Sequence, residues 1–116
     1  LFGTARGVSV LTAEFCRKTP LLVTPAEVDP AVTLQTAGLR GQERGWGWQL
    51  ATTAGCSAGN GVPENGFGHT GFTGVSVWAE REQGRVWVLL ANRNHPGQRG
   101  VDLHPIRRRF HALAVS

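Results

Sequence analysis

Apolar positions recur along the chain at two spacings, and each spacing predicts its own elements. Val8, Leu11 and Phe15 fall at helical spacing and predict a helix over 4–18. Thr4 is placed to cap its first turn, and Arg17-Lys18 suit the negative end of its dipole. Pro20 stops it. Thr24-Pro25-Ala26-Glu27 starts a second helix, with proline in the first turn and a Thr-x-x-Glu capping box; Pro30 limits or restarts it. Residues 38–45 are rich in Gly and Arg and read as a loop.

The period then changes to two. Trp46, Trp48 and Leu50 alternate with Gly45, Gly47 and Gln49, which predicts a strand over 44–52. Residues 54–66, rich in Gly, Ser and Asn, read as an excursion between strands. From Phe67 the chain re-enters a sheet, with Val75, Val77 and Ala79 on one face and Ser76 and Trp78 on the other. Glu80 to Gly84 reads as a charged hairpin loop. Val86 to Ala91 is apolar on both faces and predicts a central strand covered on both sides. A polar loop over 92–100 leads to a last helix from about Asp102, whose carboxylate can cap it, with Pro105 tolerated in the first turn. Ile106, Phe110 and Leu113 make its predicted buried stripe, with Arg107, Arg108 and His111 facing outward.

These elements describe one α+β domain over residues 1–116: a helical segment at 1–43, three antiparallel strands within 44–93, and a terminal helix at 102–115. The expected architecture is an antiparallel sheet flanked by helices. Apolar content of 41% with 17% charged residues is that of a globular chain. No apolar run approaches the length of a membrane span, so no membrane partner is expected. The net charge of +4 would suggest an anionic partner. Lys18 is the only lysine, however, and the arginines are spread along the chain except at Arg107-Arg108-Arg109. That imbalance fits a GC-rich coding sequence better than a nucleic-acid footprint, and no nucleic-acid partner is expected. Cys16 and Cys56 lack metal-ligand spacing and read as two free thiols, at least partly buried. His95 and His104 read as loop histidines, so neither a metal nor a cofactor is expected. The chain opens at Leu1 without methionine, and its apolar strands and four tryptophans have little predicted cover. It therefore reads as a piece of a longer protein, marginal or self-associating on its own, with further cover expected from the N-terminal side.

Gly68-His69-Thr70-Gly71-Phe72-Thr73-Gly74 concentrates the chemistry. It sets an imidazole and two hydroxyls among glycines that let something lie close against the backbone. Imidazoles titrate near neutral pH. Taken alone, the segment reads either as a small-molecule site wall or as a glycine-rich strand entry with a surface histidine.

Its context is more specific. Phe67-Gly68-His69-Thr70-Gly71-Phe72-Thr73-Gly74, an apolar strand, a charged hairpin, a second apolar strand ending Leu89-Leu90-Ala91-Asn92-Arg93-Asn94-His95-Pro96 and a terminal helix follow one another. This order resembles the C-terminal part of the serine beta-lactamase-like hydrolases, the family of class C beta-lactamases, penicillin-binding D-Ala-D-Ala carboxypeptidases and related esterases. Leu1-Phe2-Gly3-Thr4-Ala5 and Arg44-Gly45-Trp46-Gly47-Trp48-Gln49-Leu50 add to the likeness, which covers nearly the whole chain.

The resemblance implies the C-terminal portion of the beta-lactamase/transpeptidase-like fold and a bacterial serine hydrolase acting through an acyl-enzyme. A periplasmic or secreted location would accord with that family. His69-Thr70-Gly71 corresponds to its third motif, usually Lys-Thr-Gly and often His-Thr-Gly in esterase-like members. His69 and Thr70 would hold substrate and support proton transfer, Gly71 and Thr73 would contact it, and the Phe72 N–H would polarise the attacked carbonyl. Histidine at the basic position favours an ester or amide substrate over a beta-lactam. The family's carboxylate-binding asparagine falls at Gly97 here; Arg99 is a substitute, or simply a solvated loop arginine. The family's Ser-x-x-Lys and Tyr-x-Asn motifs are absent from this chain, which has no tyrosine. The expected partner is thus an upstream part of the same domain carrying the nucleophile, and the chain alone is expected to be inactive. The alternative is a non-catalytic binding module that keeps the cleft wall.

Overall fold

A computed structural model describes residues 2–95 and 100–116. Helix α1 spans Ala5–Ala13, a 3-10 turn follows at Glu14–Cys16, and α2 spans Pro25–Val32. Strands β1 (Gln49–Leu50), β2 (Gly66–Thr70), β3 (Ser76–Glu80) and β4 (Arg85–Leu89) come next, and α3 (His104–Val115) closes the chain. The strands form a four-stranded antiparallel sheet in the order β1-β2-β3-β4, so every strand pairs with its neighbour in sequence.

The alternation of side chains along the strands builds two cores. Leu50, Phe67 and Ala79 face one side, packed by Phe15, Cys16, Val32, Trp48 and Val86. Trp78 and Trp87 face the other, with Cys56, Ala58 and Val62 from the connection between β1 and β2 and Phe110 and Val115 from α3. α1 packs on β4 and β3, and α3 on β4. Both buried indoles are anchored, Trp78 Nε1 donating to Ser57 Oγ (3.3 Å) and Trp87 Nε1 to the Ala114 carbonyl (3.0 Å). Cys16 and Cys56 are free thiols.

The first two helix starts form as the sequence predicts. Thr4 accepts from the Gly7 amide at 3.1 Å, and Thr24 and Glu27 make the reciprocal capping box. α2 runs through Pro30 to Val32. α1 stops at Ala13, short of the predicted end. Glu14 is buried and its carboxylate accepts from the Leu21 and Leu22 amides (2.6 and 2.9 Å), folding the chain back. Those amide bonds hold its carboxyl below the ordinary carboxylate range.

Several further expectations need correction. The strand predicted over 44–52 shrinks to Gln49–Leu50, because Gly45–Trp48 is a tight turn with Gly47 at φ +81° and Trp46 60% exposed. The segment from Phe67 to Ala79 is two strands, β2 and β3, joined by a turn at 71–75, so the sheet has four strands, not three. β4 is covered on both faces but lies at the sheet edge rather than the centre, and Glu80 is a buried end of β3 paired with Arg85 rather than a loop residue.

The last correction is to α3. Its inward row is Leu103, Arg107, His111 and Val115, spaced by four, with Leu103 and His111 buried and Arg107 and Val115 half-buried; Phe110 packs on the core as predicted, while Ile106 and Leu113 are 51% and 67% exposed. Arg107 and His111 turn inward because hydrogen-bond partners wait beneath them, which an apolar stripe cannot register. Asp102 accepts from the His104 amide at 2.9 Å, outside the cap position.

Candidate functional site

Gly68 sets the wall. A Cβ there would overlap the Trp78 indole and the Val77 carbonyl, so only glycine lets β2 lie flat on its neighbour. The next residue, His69, opposite Val77 in the ladder, is exposed. Thr70, opposite Ser76, ends β2. Beyond it the chain turns through 71–75, closed by Gly71 N–H to the Val75 carbonyl (2.9 Å) and Gly74 N–H to the Gly71 carbonyl (3.0 Å). Gly74 takes φ +119°, reserved in practice for glycine. Gly71 is required for a local reason, since a Cβ would meet Val75 Cγ2 at 2.6 Å.

His69, Thr70 and Thr73 line one groove of about 520 Å³, walled by Val77, Val88 and Leu90. Phe72 projects the other way. Its ring is 76% exposed and lies under the Arg93 guanidinium, 4.5 Å from the ring centroid. Phe72, Arg93 and Asp102 border a second hollow of about 650 Å³. The Arg93 amide donates to the Thr73 carbonyl at 2.8 Å and ties this loop to the turn. Among the described residues, none accepts from the Phe72 amide. Arg99 and Gly97 lie outside the described residues.

Three groups at this site escape sequence reasoning. Arg107 donates through Nη2 to the carbonyls of Gly71 (2.9 Å) and Val75 (3.1 Å), and through Nε to that of Gly74 (3.3 Å). Burial and then the nearby Arg93 charge lower its affinity for the proton, while Asp102 offsets them. His111, fully buried, shares a 2.9 Å hydrogen bond between Nε2 and Ser76 Oγ; its Nδ1 is buried without a partner. Burial, then Arg107, push its pKa down to about 4. Ser76 is equally buried, so this Ser–His pair is a structural bond out of reach of a substrate. Arg93 is the third, its guanidinium stacked on the Phe72 ring. The signal for Arg107 and His111 was the four-residue row on α3 together with a glycine-rich turn whose carbonyls need donors.

The arrangement can hold a polar substrate along an exposed imidazole and a half-buried hydroxyl, and it presents the Phe72 N–H with no acceptor among the described residues. It offers no activated nucleophile among the described residues: Ser76 is committed to His111, and no serine stands in a Ser-x-x-Lys motif. Nor do any three of their His, Cys, Asp or Glu side chains cluster as metal ligands. A family model described as Beta-lactamase matches residues 17–112. No curated protein and no solved structure matches the chain.

Proposed function

The chain belongs to the beta-lactamase family, and from that premise we propose that it forms one wall of an acyl-transfer cleft in a serine hydrolase acting on an ester or amide. The observation that carries this reading is the pairing of an exposed His69 with a braced turn whose Phe72 N–H has no described internal acceptor. In this reading the substrate lies along β2. His69 and Thr70 orient it and pass a proton to or from the reacting groups, and Gly71 and Thr73 border its path. The Phe72 N–H donates to the carbonyl oxygen as negative charge develops there; one such donor is worth about 10²–10³ in rate. The attacking serine belongs to a Ser-x-x-Lys motif that this chain lacks, and the partner that supplies it is an upstream part of the same domain.

The test uses a nitrophenyl ester and a chromogenic cephalosporin. The 116-residue chain alone should turn over neither. A longer product of the same reading frame carrying the nucleophile motif should hydrolyse the ester, and His69→Ala should lower its kcat by about 10²–10⁴. Turnover by the chain alone that His69→Ala abolishes would overturn the reading, as would a longer protein indifferent to that substitution. The missing nucleophile also favours a second reading, a binding module that uses the same groove without catalysis. Ligand retention along β2 by a protein with no upstream motif would establish it.

A further inference from the structure

We propose that Arg107 is a positioning residue that aims and polarises the Phe72 N–H; the assignment rests on the reading of that N–H as the carbonyl donor. The Gly71 carbonyl and the Phe72 N–H belong to one planar unit and point in opposite directions. Whatever grips the carbonyl from inside therefore fixes the direction in which the N–H faces outward. Arg107 Nη2 grips it at 2.9 Å, and the Gly74 amide shares the same oxygen at 3.0 Å.

The turn needs this grip. It begins at one glycine and contains another at φ +119°, and only two backbone hydrogen bonds close it. Glycine peptides of this kind sample many conformations when left alone. Three carbonyls of the turn, those of Gly71, Gly74 and Val75, converge on the single guanidinium. Bonds to a charged donor are roughly twice as strong as neutral ones. A planar fork with Nε and Nη2 on one edge can serve three acceptors at once, whereas an ammonium on a flexible stem cannot hold that geometry.

Charge adds a second effect. A cation at the Gly71 oxygen draws electron density toward it and makes the N–H at the far end of the same peptide a stronger donor. Arg107 is itself held from behind, because Leu103 and His111, one turn to either side, are buried against the sheet.

Amide NMR on the full 116-residue chain tests the proposal without asking for hydrolysis, so a failed hydrolase reading cannot be mistaken for a failed clamp. Arg107→Lys and Arg107→Ala should shift the Phe72 and Gly74 amide resonances and speed exchange at Gly71 and Gly74 by about ten-fold or more. The indole resonances of Trp78 and Trp87 should stay in place. Guanidinium chloride at a low, non-denaturing concentration should return the Arg107→Ala amides toward their wild-type positions, while the same concentration of sodium chloride should not. Unchanged turn amides in both variants would overturn the proposal. Loss of dispersion across the whole spectrum of both variants would overturn it equally, since Arg107 would then be holding the fold rather than the turn.

Discussion

Lowering the pH should destabilise this chain well before its carboxylates titrate, and His111 is the reason. Its ring is fully buried, Nε2 is engaged with Ser76 Oγ, and Nδ1 has no partner to receive a second proton's hydrogen bond. Burial, reinforced by the Arg107 charge, places its pKa at about 4 against an ordinary 6.5. The unfolded chain therefore binds the proton more readily than the folded one. Stability from the neutral ring is fully present above about pH 6.5 and drains away as the pH falls toward 4. The whole shift corresponds to about 3 kcal/mol, of which about 1 kcal/mol is lost between about pH 7 and pH 5.5. Glu14 and Glu27 have carboxyls held below 4.5, so their contributions fail only at lower pH and leave this window to the histidine. Urea unfolding followed by tryptophan emission at a series of pH values reads the slope. His111→Gln keeps an amide donor near Ser76 and removes the titration, so its slope across the window should be flatter by about 1 kcal/mol. An identical slope in the two proteins would refute the reasoning, as would an imidazole titration near 6.5 assigned to His111 by NMR.

Gly68→Ala should cost about 1–3 kcal/mol, because the new methyl must displace the Trp78 ring or the β3 backbone; a lowered urea midpoint with red-shifted tryptophan emission checks it. His69→Ala should leave the urea midpoint of the chain within about 0.5 kcal/mol of wild type, since the side chain is exposed, and so separates its chemical role from folding.

The sequence is legible where one local rule acts without competition. Thr4, Thr24 and Glu27 announce their caps because a hydroxyl or carboxylate beside free amides has few better options. The alternation of Val77 and Ala79 against Ser76 and Trp78 yields β3 with the correct two faces. Legibility fails where a glycine cancels the rule around it. Trp46, Trp48 and Leu50 keep the spacing of a strand, but Gly47 at φ +81° bends it into a turn. It fails again on α3, where two polar side chains take the inner face. Arg107 finds three carbonyls and His111 a hydroxyl, so both turn inward at positions an apolar stripe assigns to solvent. For the candidate site, the residue types of the His-Thr-Gly segment were readable, and so was the lack of a nucleophile motif. The brace behind the segment was not, because it joins residues more than thirty positions apart.

The order of the sheet also bears on how the wall comes into being. Each strand pairs only with its sequence neighbour, so no pairing has to wait for a distant part of the chain. The turn at 71–75 is the connection between β2 and β3, one of the most local closures in the sheet. Hairpins of this kind close in about 1–10 μs, far faster than sheets assembled from remote segments. The groove wall can thus zip up early, as a meander, and the terminal helices arrive afterwards to cover a surface whose shape is already set.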